Sequence, residues 1–194
     1  MRNTAMMARK LLLPVFAIAL LAAFGCGGGD GGGGTTTPTI ACSDGGAAAA
    51  DSITMTCGGA TNATTEEINV VIGGPASGTT SLRGLNYDVT YDPSKVTFVS
   101  AENAGPFSSG ALLAATAFPL DPTPHVVVSI QQVGGDPDVV VNAGQQLVLM
   151  HLSFVVTSGV TAVAPTPVDF DVANSETTPP TTGVGFGSSL MLSY

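Results

Sequence analysis

No tryptophan occurs among the 194 residues, and lysine and arginine together number only five. Without tryptophan, and with aromatics at only 6% of the chain, the exposed flat rings that stack on sugar faces are in short supply. The basic shortage is sharper still, because Arg2, Arg9 and Lys10 precede an apolar run and leave only Arg83 and Lys95 beside all fourteen acidic residues, which start at Asp30. Such a surface repels phosphate backbones and anionic headgroups, which excludes nucleic acid as a partner. Histidine is limited to His125 and His151, neither with a Cys, Asp or second His at ligand spacing, so no metal site is expected.

Catalytic patterns are absent too. Ser108-Ser109-Gly110 reads as a loop and not as a nucleophile elbow. Asp169 and Asp171 flank Phe170 on one strand face, which is a solvated edge without general-acid surroundings. The run Gly27 to Gly34 lacks the Lys-Ser/Thr and helix of a phosphate loop. No catalytic residue is assigned, and the chain is not expected to be an enzyme. Asp136-Pro137-Asp138 offers oxygens that calcium could use, but a turn explains it without an ion, so no cofactor is assigned.

What is present begins with a targeting segment. Residues 1–25 have a basic start, the apolar stretch Leu11 to Phe24 and small residues before Cys26, the layout of an export signal. The stretch falls short of the roughly 20 residues that span a bilayer, and Pro14 interrupts it. The junction Leu21-Ala22-Ala23-Phe24-Gly25-Cys26 resembles a bacterial lipobox, which implies lipidation of Cys26. Ala23 and Phe24 depart from the pattern, and ordinary cleavage after Gly25 is the alternative. On the lipid reading the protein is exported and anchored to a membrane of the cell envelope, at the outer membrane or cell surface, touching it only through the N-terminal lipid. Residues 26–39, rich in Gly and Thr, bury nothing and form a flexible tether that reaches roughly tens of ångströms.

Three cysteines is an odd count for an oxidising compartment unless one has another fate. With Cys26 lipidated, Cys42 and Cys57 remain to close a loop in the segment 40–63; two free thiols are the alternative. Within that segment Ile53, Met55 and Cys57 alternate like a short edge strand.

From Thr64 the apolar pattern has period two, broken by Gly and Pro. It predicts strands over Ile68 to Ile72, Leu85 to Tyr91, Val96 to Ser100, Ala111 to Phe118, His125 to Val133, Gln146 to Val156, Val160 to Ala164, Val168 to Val172 and Val184 to Leu192. Gly110 to Ala117 competes as helix on propensity but is short and bounded by Pro. In the Gln146 strand Val148, Met150, Leu152, Phe154 and Val156 share the face placed inward, which turns His151 outward. The expected fold is all-β: an antiparallel β-sandwich of jelly-roll type with about nine strands, occupying 64–194. Of Tyr87 and Tyr91, which alternate with Leu85 and Val89, at least one belongs to the core.

The run Leu82-Arg83-Gly84-Leu85-Asn86-Tyr87-Asp88-Val89-Thr90-Tyr91-Asp92-Pro93-Ser94-Lys95-Val96-Thr97-Phe98-Val99-Ser100 resembles the cohesin family, its Tyr-Asp-Pro turn most of all. Ile68 to Gly73 is similar to that family's opening strand and Gly144 to Val156 to a late one, so the likeness covers Thr64 to Tyr194. It implies a jelly roll that presents one sheet face to a protein partner, possession of a dockerin being what such partners share. The chain carries no dockerin-like Asp-x-Asn-x-Asp-Gly loop of its own, so a dockerin would come from another chain. A binding module for a protein partner is the leading expectation; a carbohydrate-binding module acting on polysaccharide, and an envelope subunit that pairs sheet edges, are the alternatives. The binding residues are left unassigned.

Overall fold

The computed structural model describes residues 39–194 except 180, 182 and 188. The signal segment, Cys26 and the tether as far as residue 38 lie outside the described residues. Thirteen strands follow in order: β1 (Ala41–Ser43), β2 (Ser52–Asn62), β3 (Thr65–Gly73), β4 (Thr79–Leu82), β5 (Gly84–Thr90), β6 (Val96–Asn103), β7 (Leu112–Phe118), β8 (His125–Gln131), β9 (Val139–Asn142), β10 (Gln146–Val156), β11 (Thr166–Thr178), β12 (Gly185–Phe186) and β13 (Leu190–Ser193). They form a six-stranded sheet, β1-β13-β11-β5-β8-β7, a five-stranded sheet, β12-β2-β3-β10-β6, and a β4-β9 ribbon. All pairings are antiparallel except β12 with β2.

Alternation explains the layers. Ile53, Met55, Ile68, Val70, Ile72, Met150, Leu152 and Phe154 point inward from the five-stranded sheet and meet Leu85, Tyr87, Val89, Val126, Val128, Ile130, Val168 and Phe170 from the other, all buried in one core. Each large side chain so buried stabilises the fold by about 1.5–3 kcal/mol. Phe154 meets Tyr91 and Phe98 edge-on at 5.5 and 5.7 Å. Tyr87 is fully buried and edge-on to Phe170, and its hydroxyl has no hydrogen-bond partner. Its ring contributes apolar volume, and burial pushes the phenol up. The described residues from Thr39 onward belong to one compact unit that contains this whole core.

The Tyr-Asp-Pro turn moves the chain from one sheet to the other between β5 and β6. Asp92 Oδ1 accepts from the Ser94 backbone N–H at 3.0 Å and from Ser94 Oγ at 2.6 Å, while Asp92 Oδ2 lies 3.3 Å from Lys95 Nζ. These bonds hold the Asp92 carboxyl below the ordinary carboxylate range, the Ser94 hydroxyl contributing most. Thr157 Oγ1 donates to Pro93 O at 3.0 Å and so ties the turn to the end of β10.

Several sequence expectations need correction. Residues 40–63 do not stand apart from a sandwich beginning at Thr64: they supply β1 and β2, and β2 pairs with β3 along most of its length. Among the described residues the strand count is thirteen and not about nine: β2 joins the sandwich, β1, β4 and β9 are too short to show a period, Val184 to Leu192 is split into β12 and β13, and one expected strand is lost. Val160 to Ala164 is not a strand: Val163 exchanges backbone hydrogen bonds with Tyr194 alone, at 2.7 and 3.0 Å. In β10 a bulge at Leu149 turns both Leu149 and Met150 inward and leaves Val148 half-buried on the other phase.

One inward position is charged. Glu66, 2% exposed, accepts from the Gly59 N–H at 3.1 Å. Burial raises its carboxyl above the ordinary range, the Gly59 N–H opposes this, and Glu67 adds repulsion. A raised folded-state pKa means the native state binds the proton more tightly than the unfolded chain, so stability is lost as pH rises from the ordinary carboxylate value through the folded one. Glu66→Gln keeps an acceptor for Gly59 and is expected to raise the melting temperature at neutral pH, with the gain shrinking to nothing in acid. Thermal unfolding of both proteins across pH checks this; a gain that persists unchanged in acid would refute it.

Candidate docking surface

The outward phase of the six-stranded sheet carries two kinds of side chain. On β7 and β8 it reads Leu112, Ala114, Thr116 and Phe118 opposite Gln131, Ser129, Val127 and His125. On β5 and β11 it reads Asn86, Asp88 and Thr90 opposite Glu176, Asp171 and Asp169. An apolar margin therefore borders an acidic stripe.

The margin is bare because, among the described residues, β7 is the last strand of its sheet and every residue from Leu112 to Phe118 is exposed, Leu112 at 67% and Phe118 at 41%. Leu120 just beyond it is 95% exposed. Phe118 stacks on His125 with centroids 5.0 Å apart, and His125 Nε2 lies 4.0 Å from Asp88 Oδ2. Burial raises the Asp88 carboxyl above the ordinary range; His125 pulls it back and Asp171 adds repulsion. Asp171 also organises the chain between the two halves of β11: Ala173 N–H donates to its Oδ1 at 3.1 Å and Asn174 Nδ2 to its Oδ2 at 2.8 Å. The residues between lift away from β5 and expose Val172.

The two basic residues among those described, Arg83 and Lys95, are both held in ion pairs. Arg83 spends its guanidinium on Asp138 at 2.8 Å and on the carbonyls of Gly134 and Asp136, each at 3.2 Å. Lys95 pairs with Asp92. A complementary partner therefore brings apolar and basic groups.

The other residues singled out from sequence fall elsewhere. Cys42 and Cys57 form a disulfide with Cα atoms 5.7 Å apart, joining β1 of one sheet to β2 of the other. His151 lies on the outer face of the five-stranded sheet, with Nδ1 2.8 Å from Asn69 Oδ1 and 3.1 Å from Glu67 Oε1, remote in topology from His125. Among the described residues no group of three His, Cys, Asp or Glu side chains is placed to hold a metal. Asp136 accepts from Ser108 Oγ at 2.5 Å, so the Asp136-Pro137-Asp138 turn is held by Ser108 and Arg83. Tyr87 and Tyr91 are both core, which removes them as a sugar platform. Sequence reading placed a strand at Ala111 to Phe118 and assigned it no role; the structure shows its seven uncharged residues exposed on both faces.

No family model and no curated protein matches the chain. Solved structures do match. One is the sixth cohesin of scaffoldin B from Acetivibrio cellulolyticus, in complex with a mutant Cel5 dockerin, at TM-score 0.51 and 12% identity over 71% of this chain and 94% of that one. Another is a complex of CaCohA2, a Clostridium acetobutylicum protein, at TM-score 0.50 and 13% identity with the same coverage. The chain is thus an all-β sandwich of jelly-roll class. Within that class its fold is that of cohesins.

Proposed function

We propose that this chain is a non-catalytic docking module, which binds a protein partner of dockerin type through the outer face of its six-stranded sheet and is displayed on the cell envelope by lipidated Cys26. The observation that carries the reading is the bare apolar margin of β7 beside an acidic stripe that no lysine or arginine among the described residues neutralises. Exposed apolar area bordered by charge marks interaction surfaces, and a buried aromatic anchor supplies much of the energy of such contacts. The crystallised complex of a similarly folded cohesin with a dockerin supports the partner class. On this reading the Gly- and Thr-rich residues 26–39 would serve as the tether between the lipid and the sandwich.

The test is surface plasmon resonance of residues 36–194 against a panel of purified dockerins, beside pull-down on insoluble polysaccharide. Binding to at least one dockerin is expected, and Phe118→Ala combined with Leu112→Asp should weaken it by about tenfold or more at unchanged melting temperature. Retention on polysaccharide with no dockerin bound would overturn the reading in favour of a carbohydrate-binding module. For the anchor, acyl-chain labelling of the full chain in its host is expected to be abolished by Cys26→Ser.

A further inference from the structure

The free edges of the two sheets are not alike. The five-stranded sheet ends on β6, which carries a bulge at Val99 and the charge of Glu102, and on β12, which has two residues. The six-stranded sheet ends on β1, three residues long, and on β7. Shortness, charge and bulges are the usual means by which an edge is kept from pairing with another chain. Strand β7 has none of them: seven residues without charge, proline or glycine, in unbroken register with β8, exposed on both faces.

We propose that two copies of the module pair through β7, antiparallel about Ala115, to make one continuous sheet. In that register Leu112 faces Phe118 of the second copy, Leu113 faces Ala117 and Ala114 faces Thr116, so large residues meet small ones or ring meets aliphatic chain, and both sets of orphan backbone groups are satisfied. Electrostatics selects this mode for so acidic a chain. Face-to-face contact would oppose the two acidic stripes. Edge pairing leaves Asp88 of the two copies five strand spacings apart, about 24 Å at ~4.8 Å each, well beyond a screening length of about 8 Å at physiological salt. An edge of seven residues buries less than the roughly 1,000 Å² of a stable interface, so the dimer is weak, with Kd of about 10–1,000 μM. The inference uses the backbone edge and does not depend on dockerin binding.

Sedimentation velocity of residues 36–194 from about 10 μM to about 1 mM should show the average mass rising from one chain toward two. Ala115→Lys, an exposed substitution that sets two ammonium groups face to face on the two-fold axis, should stay monomeric with an unchanged melting temperature. In oxidising buffer Ala115→Cys should form a cross-linked dimer, whereas Val99→Cys, exposed on the β6 edge, should not. A single monomeric species across the range, or equal cross-linking at both positions, would overturn the proposal; so would capture of a foreign strand by a β7 that never self-associates. If Ala115→Lys does not fold, the cysteine pair decides.

Discussion

Replacing Cys42 and Cys57 together by alanine is expected to lower the unfolding free energy by about 3 kcal/mol, the chain-entropy value for a closed loop of some 15 residues. For a domain of this size that is a drop in melting temperature of about 6–12 °C. Both cysteines are replaced so that no lone thiol is left to react. Two contributions act together. The crosslink restricts the unfolded chain, so its removal should also steepen the denaturant dependence as the unfolded ensemble expands. It also joins the two layers at one end of the sandwich, because β1 belongs to the six-stranded sheet and β2 to the five-stranded one. Strand β1 has only three residues paired to β13, and without its covalent tie to β2 it should be the first element to open. Guanidinium titration of the variant beside the native chain measures both effects. A loss below about 1 kcal/mol would show that neighbouring packing already imposes the restriction.

Gly73→Ala and Gly74→Ala are expected to cost about 3 kcal/mol or more each, since overpacking of this kind falls on backbone that cannot give way. A Cβ on Gly73 would lie 2.0 Å from the Ala49 carbonyl oxygen, and one on Gly74 would lie 2.0 Å from that of Asn142. Both glycines are pinned. Gly73 is paired on one side to Gln146 of β10 and on the other to Ser52 of β2, and its carbonyl accepts from the Asp51 N–H at 3.1 Å. Gly74 donates to Gln145 O at 2.7 Å while the β4-β9 ribbon lies against it. Relief would require breaking ladder hydrogen bonds. Gly135→Ala is the control: nothing lies within 4 Å of its added Cβ and no positive φ is involved, so its effect should stay within about 0.5 kcal/mol. Equal stability of the Gly73 and Gly135 variants would show that the sandwich end is looser than its geometry indicates.

These glycines show where sequence reading stops. Gly73-Gly74-Pro75 was legible as the end of a strand, because glycine and proline punctuate period-two runs. That two other segments lie against it was not, since those segments start 24 residues upstream and nearly 70 downstream. The same division holds elsewhere. The bounds of Gln146–Val156 follow from its alternation, but the bulge at Leu149 is imposed by pairing with β3 and cannot be read from one strand. That at least one of Tyr87 and Tyr91 is core follows from their alternation with Leu85 and Val89, whereas the bareness of Leu112 and Phe118 depends on no strand among the described residues lying beyond β7.

By itself the sequence determined the all-β class, the jelly-roll likeness and an acidic composition, because period, punctuation and charge count are local or additive properties. Only the tertiary structure decided that residues 40–63 belong to the sandwich, that Arg83 and Lys95 are each held in an ion pair, and that an uncharged strand stands at an open edge beside an acidic stripe. Those are statements about which distant segments become neighbours. They follow from strand order, which the minimisation of exposed apolar area over the whole chain settles and no single segment encodes.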